Sequence, residues 1–339
     1  MNIKVIAPVI ILLSLGTSCT NQKTVTEQSP SAVTAVSTAT STIIPSSTDI
    51  PTFTSTPPAP RSTSFPQGTL LLYTAGQSIH VISATDAFPT SIIENNTSVY
   101  YASPSWSPSG DRIAFTESGP GIPTQIYVMN QDGSELRLLG MNTGFDPAWS
   151  PNGEQIAYTN DQKLFLASAD GSGLQVLANS IDGIFPAWSP DGRQFALLGG
   201  SPGKFYGPYK IYLMNSDGTD YHPITEAVAG VSRLSWSPDG KMIAFRSYIG
   251  CGDINVIETE TGNITNLTNN SKVVHLDPAW SPDGKFIAFS TASFSPCDQN
   301  QVYSYQGDSI YIMQTDGQGI TQVINAKGYQ PAWLPTVIR

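Results

Sequence analysis

One short motif, repeated six times, constrains this chain more than anything else in it. It reads PSWSPSG at 104–110, PAWSPNG at 147–153, PAWSPDG at 186–192, LSWSPDG at 234–240, PAWSPDG at 278–284, and the shortened PAWLP at 331–335. All six tryptophans of the 339-residue sequence lie in these copies. The Trp-to-Trp period, roughly 40 to 50 residues, is the length of a four-stranded propeller blade.

Each repeat resolves into strands. The segment ending at Trp is a first strand, and Ser-Pro-Asp-Gly then makes a hairpin turn, with Pro presetting one backbone angle and Gly taking the left-handed position. An apolar second strand follows at once, as in Ile113-Ala114-Phe115, Ile156-Ala157-Tyr158 and Ile243-Ala244-Phe245. A third strand comes after a variable loop, for example Ile126-Tyr127-Val128-Met129, and a second turn such as Asp132-Gly133 or Asp316-Gly317 leads to a short fourth.

The two ends of the repeat array complement each other. Before Trp106 only three strands are predicted, near 69–74, 78–83 and 90–93, and after Trp333 a first strand stands without a blade. Docking 328–334 into the N-terminal blade completes it and removes exposed sheet edges. The expected fold is all-β, a six-bladed β-propeller of four-stranded blades, over residues 67–339.

The motif resembles the TolB-like, WD40-like Trp-Ser-Pro-Asp-Gly propeller repeat, shared by TolB of bacterial envelopes, tricorn-type proteases and the propeller domain of dipeptidyl peptidase relatives. The resemblance covers essentially all of 68–335 and implies the fold far more than any function. Two departures weaken transfer of function. TolB places an α/β domain before its propeller, where this sequence has a Ser/Thr/Pro-rich stretch, and the peptidases add an α/β-hydrolase domain.

The N-terminus reads as an export signal. Lys4 supplies positive charge, 5–15 is apolar apart from Ser14, and small residues lead to Cys19. The apolar run is shorter than the ~20 residues of a membrane span. Its Leu-Gly-Thr-Ser-Cys end resembles the lipobox of bacterial lipoproteins, with Gly16 where that motif has Leu, and implies lipidation of Cys19. Residues 1–19 are therefore read as signal peptide. Residues 20–66, rich in Ser, Thr and Pro and almost uncharged, cannot bury enough surface to offset chain entropy and are read as a disordered linker reaching roughly 40 to 100 Å. Together they place the propeller outside the cytoplasm, in the periplasm or at the cell surface, anchored to a membrane of the envelope.

Charge and residue inventory narrow the chemistry. The formal net charge of -10 argues against nucleic acid as a partner, because phosphate binding needs a basic surface. The three histidines, His80, His222 and His275, show no metal-ligand spacing and read as scattered surface imidazoles, and no Gly-x-Ser-x-Gly elbow occurs. The Asp-Gly turns lack the acidic ladder of a calcium loop. No catalytic residues, metal site or cofactor are assigned.

Three groups of residues remain as candidates for recognition. First strands of a propeller run nearest its axis, so the position three before each Trp should line the channel mouth: Ser103, Asp146, Phe185, Arg233, Asp277 and Gln330. This mixed ring suits a polar ligand or peptide, or else is merely a solvated rim. On the same side, enlarged loops carry Phe205, Tyr206, Tyr209, Tyr248, Phe294, Tyr303 and Tyr305, which would form an aromatic arc for a protein or glycan, or pack on one another. Cys251 and Cys297 occupy matching loops of adjacent blades, and an oxidising compartment would let them bridge.

The expectation is a monomeric, non-enzymatic module that binds a protein, peptide or glycan in the bacterial envelope. An extracytoplasmic hydrolase or lyase working at the channel mouth, or a small-ligand sensor, is the alternative.

Overall fold

The computed structural model describes residues 70–335 apart from 76, 84–87, 95–97, 141–142, 162, 179–182, 201–208, 228–229, 231, 248–251, 270–272, 293–308 and 325–326. The described residues form six four-stranded antiparallel sheets. Blades 2 to 6 are meanders whose first strands are Tyr100–Trp106, Phe145–Trp149, Ile184–Trp188, Ser235–Trp236 and Val274–Trp280. Blade 1 is composite: Tyr329–Trp333 occupies the first-strand slot beside Leu70–Ala75, Ser78–Ser83 and Thr90–Glu94. Leu71 pairs with Trp333 and Leu72 with Ala332, so the ring closes by hydrogen bonds as the orphan ends predict.

Burial explains the residue pattern of the second strands. Each is covered on both faces by neighbouring blades, so its apolar residues run without alternation: Ile113, Ala114 and Phe115 are fully buried. Six apolar clusters result, each shared by two adjoining blades. Trp149, Ile156 and Tyr158 of blade 3 pack on Ala114, Ile126 and Val128 of blade 2, for instance. The cluster that joins Leu71, Tyr73 and Trp333 to Ala288, Ile310 and Ile312 seals blade 1 against blade 6.

The repeat motif itself supplies the joints. Its Ser hydroxyl accepts the N–H five residues on, as Gln194 N to Ser189 Oγ at 2.9 Å, and donates to the turn Asp, as Ser189 Oγ to Asp191 Oδ1 at 2.7 Å. In three copies the Trp donates its indole N–H to the preceding blade, Trp188 to Ala148 O, Trp236 to Ala187 O and Trp333 to Ala279 O, at 3.2, 3.0 and 2.9 Å, whereas the buried indole N–H groups of Trp106, Trp149 and Trp280 meet no acceptor among the described residues. Its Gly packs on the motif proline of the blade before, Gly192 against Pro151 and Gly284 against Pro238. One heptapeptide thus shapes the hairpin and bolts it to its neighbour.

Each first strand touches the first strands of both flanking blades, and these six strands enclose the channel. In five of them the register slips once, between Ala102 and Ser105, Phe145 and Ala148, Ile184 and Ala187, Leu276 and Ala279, and opposite Leu72 and Thr74 in blade 1. The slip is a β-bulge, and it sets what the channel displays.

Candidate functional site

The bulges fall on the positions three before Trp. Ser103, Asp146, Phe185, Asp277 and Gln330 have φ of 51°, 56°, 55°, 50° and 55°, in the left-handed region that side chains with a Cβ seldom occupy. Each precedes a proline, which disfavours the right-handed helical region for its predecessor and brings no N–H that the broken ladder would leave unpaired. Arg233 is followed by Leu234 instead, and its φ is not among the positive ones.

The displaced N–H groups and side chains bond to one another along the wall. Gln330 Oε1 accepts the Ser103 N–H at 2.6 Å, and Ser103 Oγ donates to Asp146 Oδ1 at 2.5 Å. The Asp146 N–H reaches Thr116 Oγ1 at 3.2 Å. Across the ring, the Asp277 N–H donates to Ser232 Oγ at 2.8 Å, and Asp277 Oδ1 accepts from Ser232 Oγ at 3.2 Å and from the Arg233 N–H at 3.4 Å. Phe185 has no polar side-chain atom to join the chain.

Arg233 spans the channel. Its Nη1 donates to the Pro104 carbonyl at 3.1 Å, and blades 5 and 2 face each other across a six-bladed ring. Its side chain borders two cavities. One, of about 190 Å³, runs along Ser105, Leu234, Ala279 and Ala332; the other, of about 80 Å³, is bounded by Asp146, Phe185 and Leu234.

Burial controls the charges of this wall. It pushes the Asp146 carboxyl up to about 6, against the opposing effects of the Ser103 hydrogen bond and the Arg233 charge, with Asp277 adding to the rise. Asp277 is likewise raised by burial, which outweighs Arg233 and its hydrogen bonds. Desolvation lowers Arg233 while both aspartates oppose that.

The family profile described as TolB beta propeller domain matches residues 58–197 and 147–296, more than half of the chain. The chain belongs to the TolB beta-propeller domain family. Among solved structures, TolB from Acinetobacter baumannii is similar at 19% identity and a TM-score of 0.62, over 81% of this chain and 69% of that one. A chain of a nidogen/laminin complex gives 12% and 0.62 over 79% and 98%. A puromycin-hydrolyzing peptidase from Mycobacterium tuberculosis gives 15% and 0.51 over 75% and 42%. At these identities the likenesses concern the fold. No curated protein matches significantly.

In this TolB-family propeller the six residues three before Trp do come together, but inside the channel rather than on an exposed rim. Ser103 and Asp277 are 1% and 5% exposed, because the bulge turns them in among neighbouring first strands, while Asp146, Phe185, Arg233 and Gln330 are half-buried. Of the aromatic arc only Tyr209 is described. It is buried between blades 4 and 5 with Leu198 and Ile211, its hydroxyl pushed up to about 12, and so packs in the core instead of facing solvent. Phe205, Tyr206, Tyr248, Phe294, Tyr303 and Tyr305 lie outside the described residues, as do Cys19, Cys251 and Cys297.

Two of the three histidines also depart from the sequence reading, whereas the His222 side chain, 44% exposed, keeps to it. His275 is buried, with Nδ1 3.5 Å from Asp253 Oδ1 and 3.3 Å from Thr268 Oγ1, and burial holds it below the usual imidazole range. His80 stacks on Tyr73, and burial lowers it too. Each packs against an aromatic ring of its own blade, His80 on Tyr73 and His275 on Phe289, which a lone His in a strand does not announce. Among the described residues no group of three or more His, Cys, Asp and Glu could hold a metal ion.

Proposed function

We propose that this chain is a non-enzymatic binding module of the bacterial cell envelope, held from a membrane by a lipidated Cys19 and the linker over 20–66, with the channel as its recognition site. The observation that carries this is the channel wall: five bulge residues with left-handed φ and a spanning arginine stand along it, the Asp146 and Asp277 carboxyls are held back from ionising by burial, and Arg233 borders two cavities, the smaller of them with Asp146 and Phe185. Strain and buried charge concentrate where a fold is adapted to a task beyond stability. Membership of the TolB propeller family supports an extracytoplasmic setting. The similar chain from a nidogen/laminin complex supports use of such propellers in protein assemblies.

The reading includes lipidation of Cys19, a linker over 20–66, a monomeric propeller, and a bridge between Cys251 and Cys297 that ties two loops on the recognition side. Crosslinking in intact envelopes tests it. A discrete partner should be captured by the wild-type chain and lost when Asp277 is replaced by Ala. Turnover of peptide, glycan or lactone substrates that disappears with Asp146→Asn would contradict it, and mass analysis of the mature N-terminus decides the lipid.

A further inference from the structure

We propose that the smaller channel cavity receives an alkylammonium group, the side chain of a lysine on the bound partner or a free alkylamine. This deepens the reading of the channel as the recognition site and rests on it.

Shape comes first. The cavity measures about 80 Å³, and at roughly 10 to 15 Å³ per water-sized atom it holds about five to eight of them. A lysine side chain, four methylenes and a nitrogen, fills such a space. The walls suit the methylenes: Ala148, Ala187 and Leu234 are apolar, and Phe185 adds an aromatic ring. A ring beside a carboxylate is the pairing that holds organic cations, because the ring face attracts positive charge while the carboxylate takes the N–H donors.

Charge comes next. Asp146 and Asp277 both face Arg233, and the buried Arg246 also acts on Asp277. Arg233 directs Nη1 to the Pro104 carbonyl, and Asp277 is engaged by Ser232 and by the Arg233 backbone. Among the described residues no ion pair within 4.0 Å includes Asp146, whose hydrogen-bond donor is the neutral Ser103 hydroxyl. Asp146 also borders the cavity. An entering ammonium therefore meets a carboxylate that holds no ion pair within 4.0 Å, and is drawn by Asp146 and Asp277 against repulsion by Arg233, which acts on Asp146 through space and borders the same cavity. An anionic ligand would face the opposite balance.

The test is calorimetric titration of the full chain with Nα-acetyl-lysine methylamide, butylamine, the isosteric Nα-acetyl-norleucine methylamide, and calcium chloride. At pH 7.5 the lysine derivative should bind at least tenfold tighter than the norleucine derivative. Butylamine binding equal to that of the lysine derivative assigns the site to free amines, and weaker binding assigns it to lysine in a polypeptide. Asp146→Asn should reduce lysine-derivative affinity at least tenfold. In the wild type, affinity should fall about tenfold from pH 7.5 to 5, as Asp146 takes up its proton near 6 beside the other charged groups facing it, Arg233 and Asp277. That arm serves if Asp146→Asn does not fold. Equal binding of the lysine and norleucine derivatives, an Asp146→Asn variant that binds the amine as before, or calcium binding through Asp146 without amine binding would each overturn the proposal. Partner capture through the channel without amine binding would overturn this inference alone; amine binding with no partner captured would leave it standing and remove the binding-module reading.

Discussion

Arg233 Nη1 donates to the carbonyl oxygen of Pro104, 3.1 Å away on the opposite blade, and so braces the ring across its diameter. The same cation balances Asp146 and Asp277. Removing one partner from a buried charge cluster leaves the others uncompensated, at a typical cost of about 3 to 5 kcal/mol. Arg233→Met should therefore lose about 3 kcal/mol at pH 8. The loss should shrink at pH 5, where the aspartates can protonate, and urea unfolding at the two pH values measures the difference.

Asp146 should make the propeller less stable as pH rises. Its folded pKa, about 6, stands above the ordinary value of 3.8. Its stabilising effect is thus fully present below pH 4 and is lost as pH climbs to about 6, a change of about 3 kcal/mol from the size of the shift. Asp146→Asn removes that dependence. The variant should unfold at higher urea than the wild type at pH 8 and match it near pH 4.

Two glycines should separate backbone strain from steric collision. Gly121 and Gly317 both have left-handed φ, 77° and 84°. A Cβ on Gly121 meets nothing within 4 Å, whereas on Gly317 it would land on the Leu267 carbonyl oxygen of the preceding blade. Gly121→Ala should cost about 1 kcal/mol, the price of the φ alone. Gly317→Ala should cost several times more, about 3 kcal/mol or above, and thermal unfolding of the pair gives the ratio.

Ring closure depends on Trp333, which donates to Ala279 O and packs with Leu71 and Ile312. Trp333→Ala should cost about 3 to 5 kcal/mol. Because Tyr329–Trp333 pairs with Leu70–Ala75, hydrogen exchange should accelerate first at Leu71 and Leu72.

The ring was legible in the sequence because the motif does the structural work of turn, joint and spacing in one place. The unpaired ends even specified the composite blade. The channel was half legible. Counting back three from Trp found its residues, but treating them as independent rim groups missed the bulge that turns them inward and links Ser103 to both Gln330 and Asp146. A signal was present: five of the six precede proline and Arg233 does not, so the exception marked the residue that spans the channel. Tyr209 and His275 were misplaced for a different reason. Loop or strand position says little about which face of a blade a ring joins, and that depends on contacts with the next blade.

The most direct measurement of the account places the photoreactive residue p-benzoylphenylalanine at position 185, beside the channel cavity, or at position 264, where Ile264 is 44% exposed on an outer strand. Irradiated in intact envelopes, the chain labelled at 185 should crosslink a discrete partner and the chain labelled at 264 should not. Capture from position 264 with none from position 185 would contradict the channel as the recognition site.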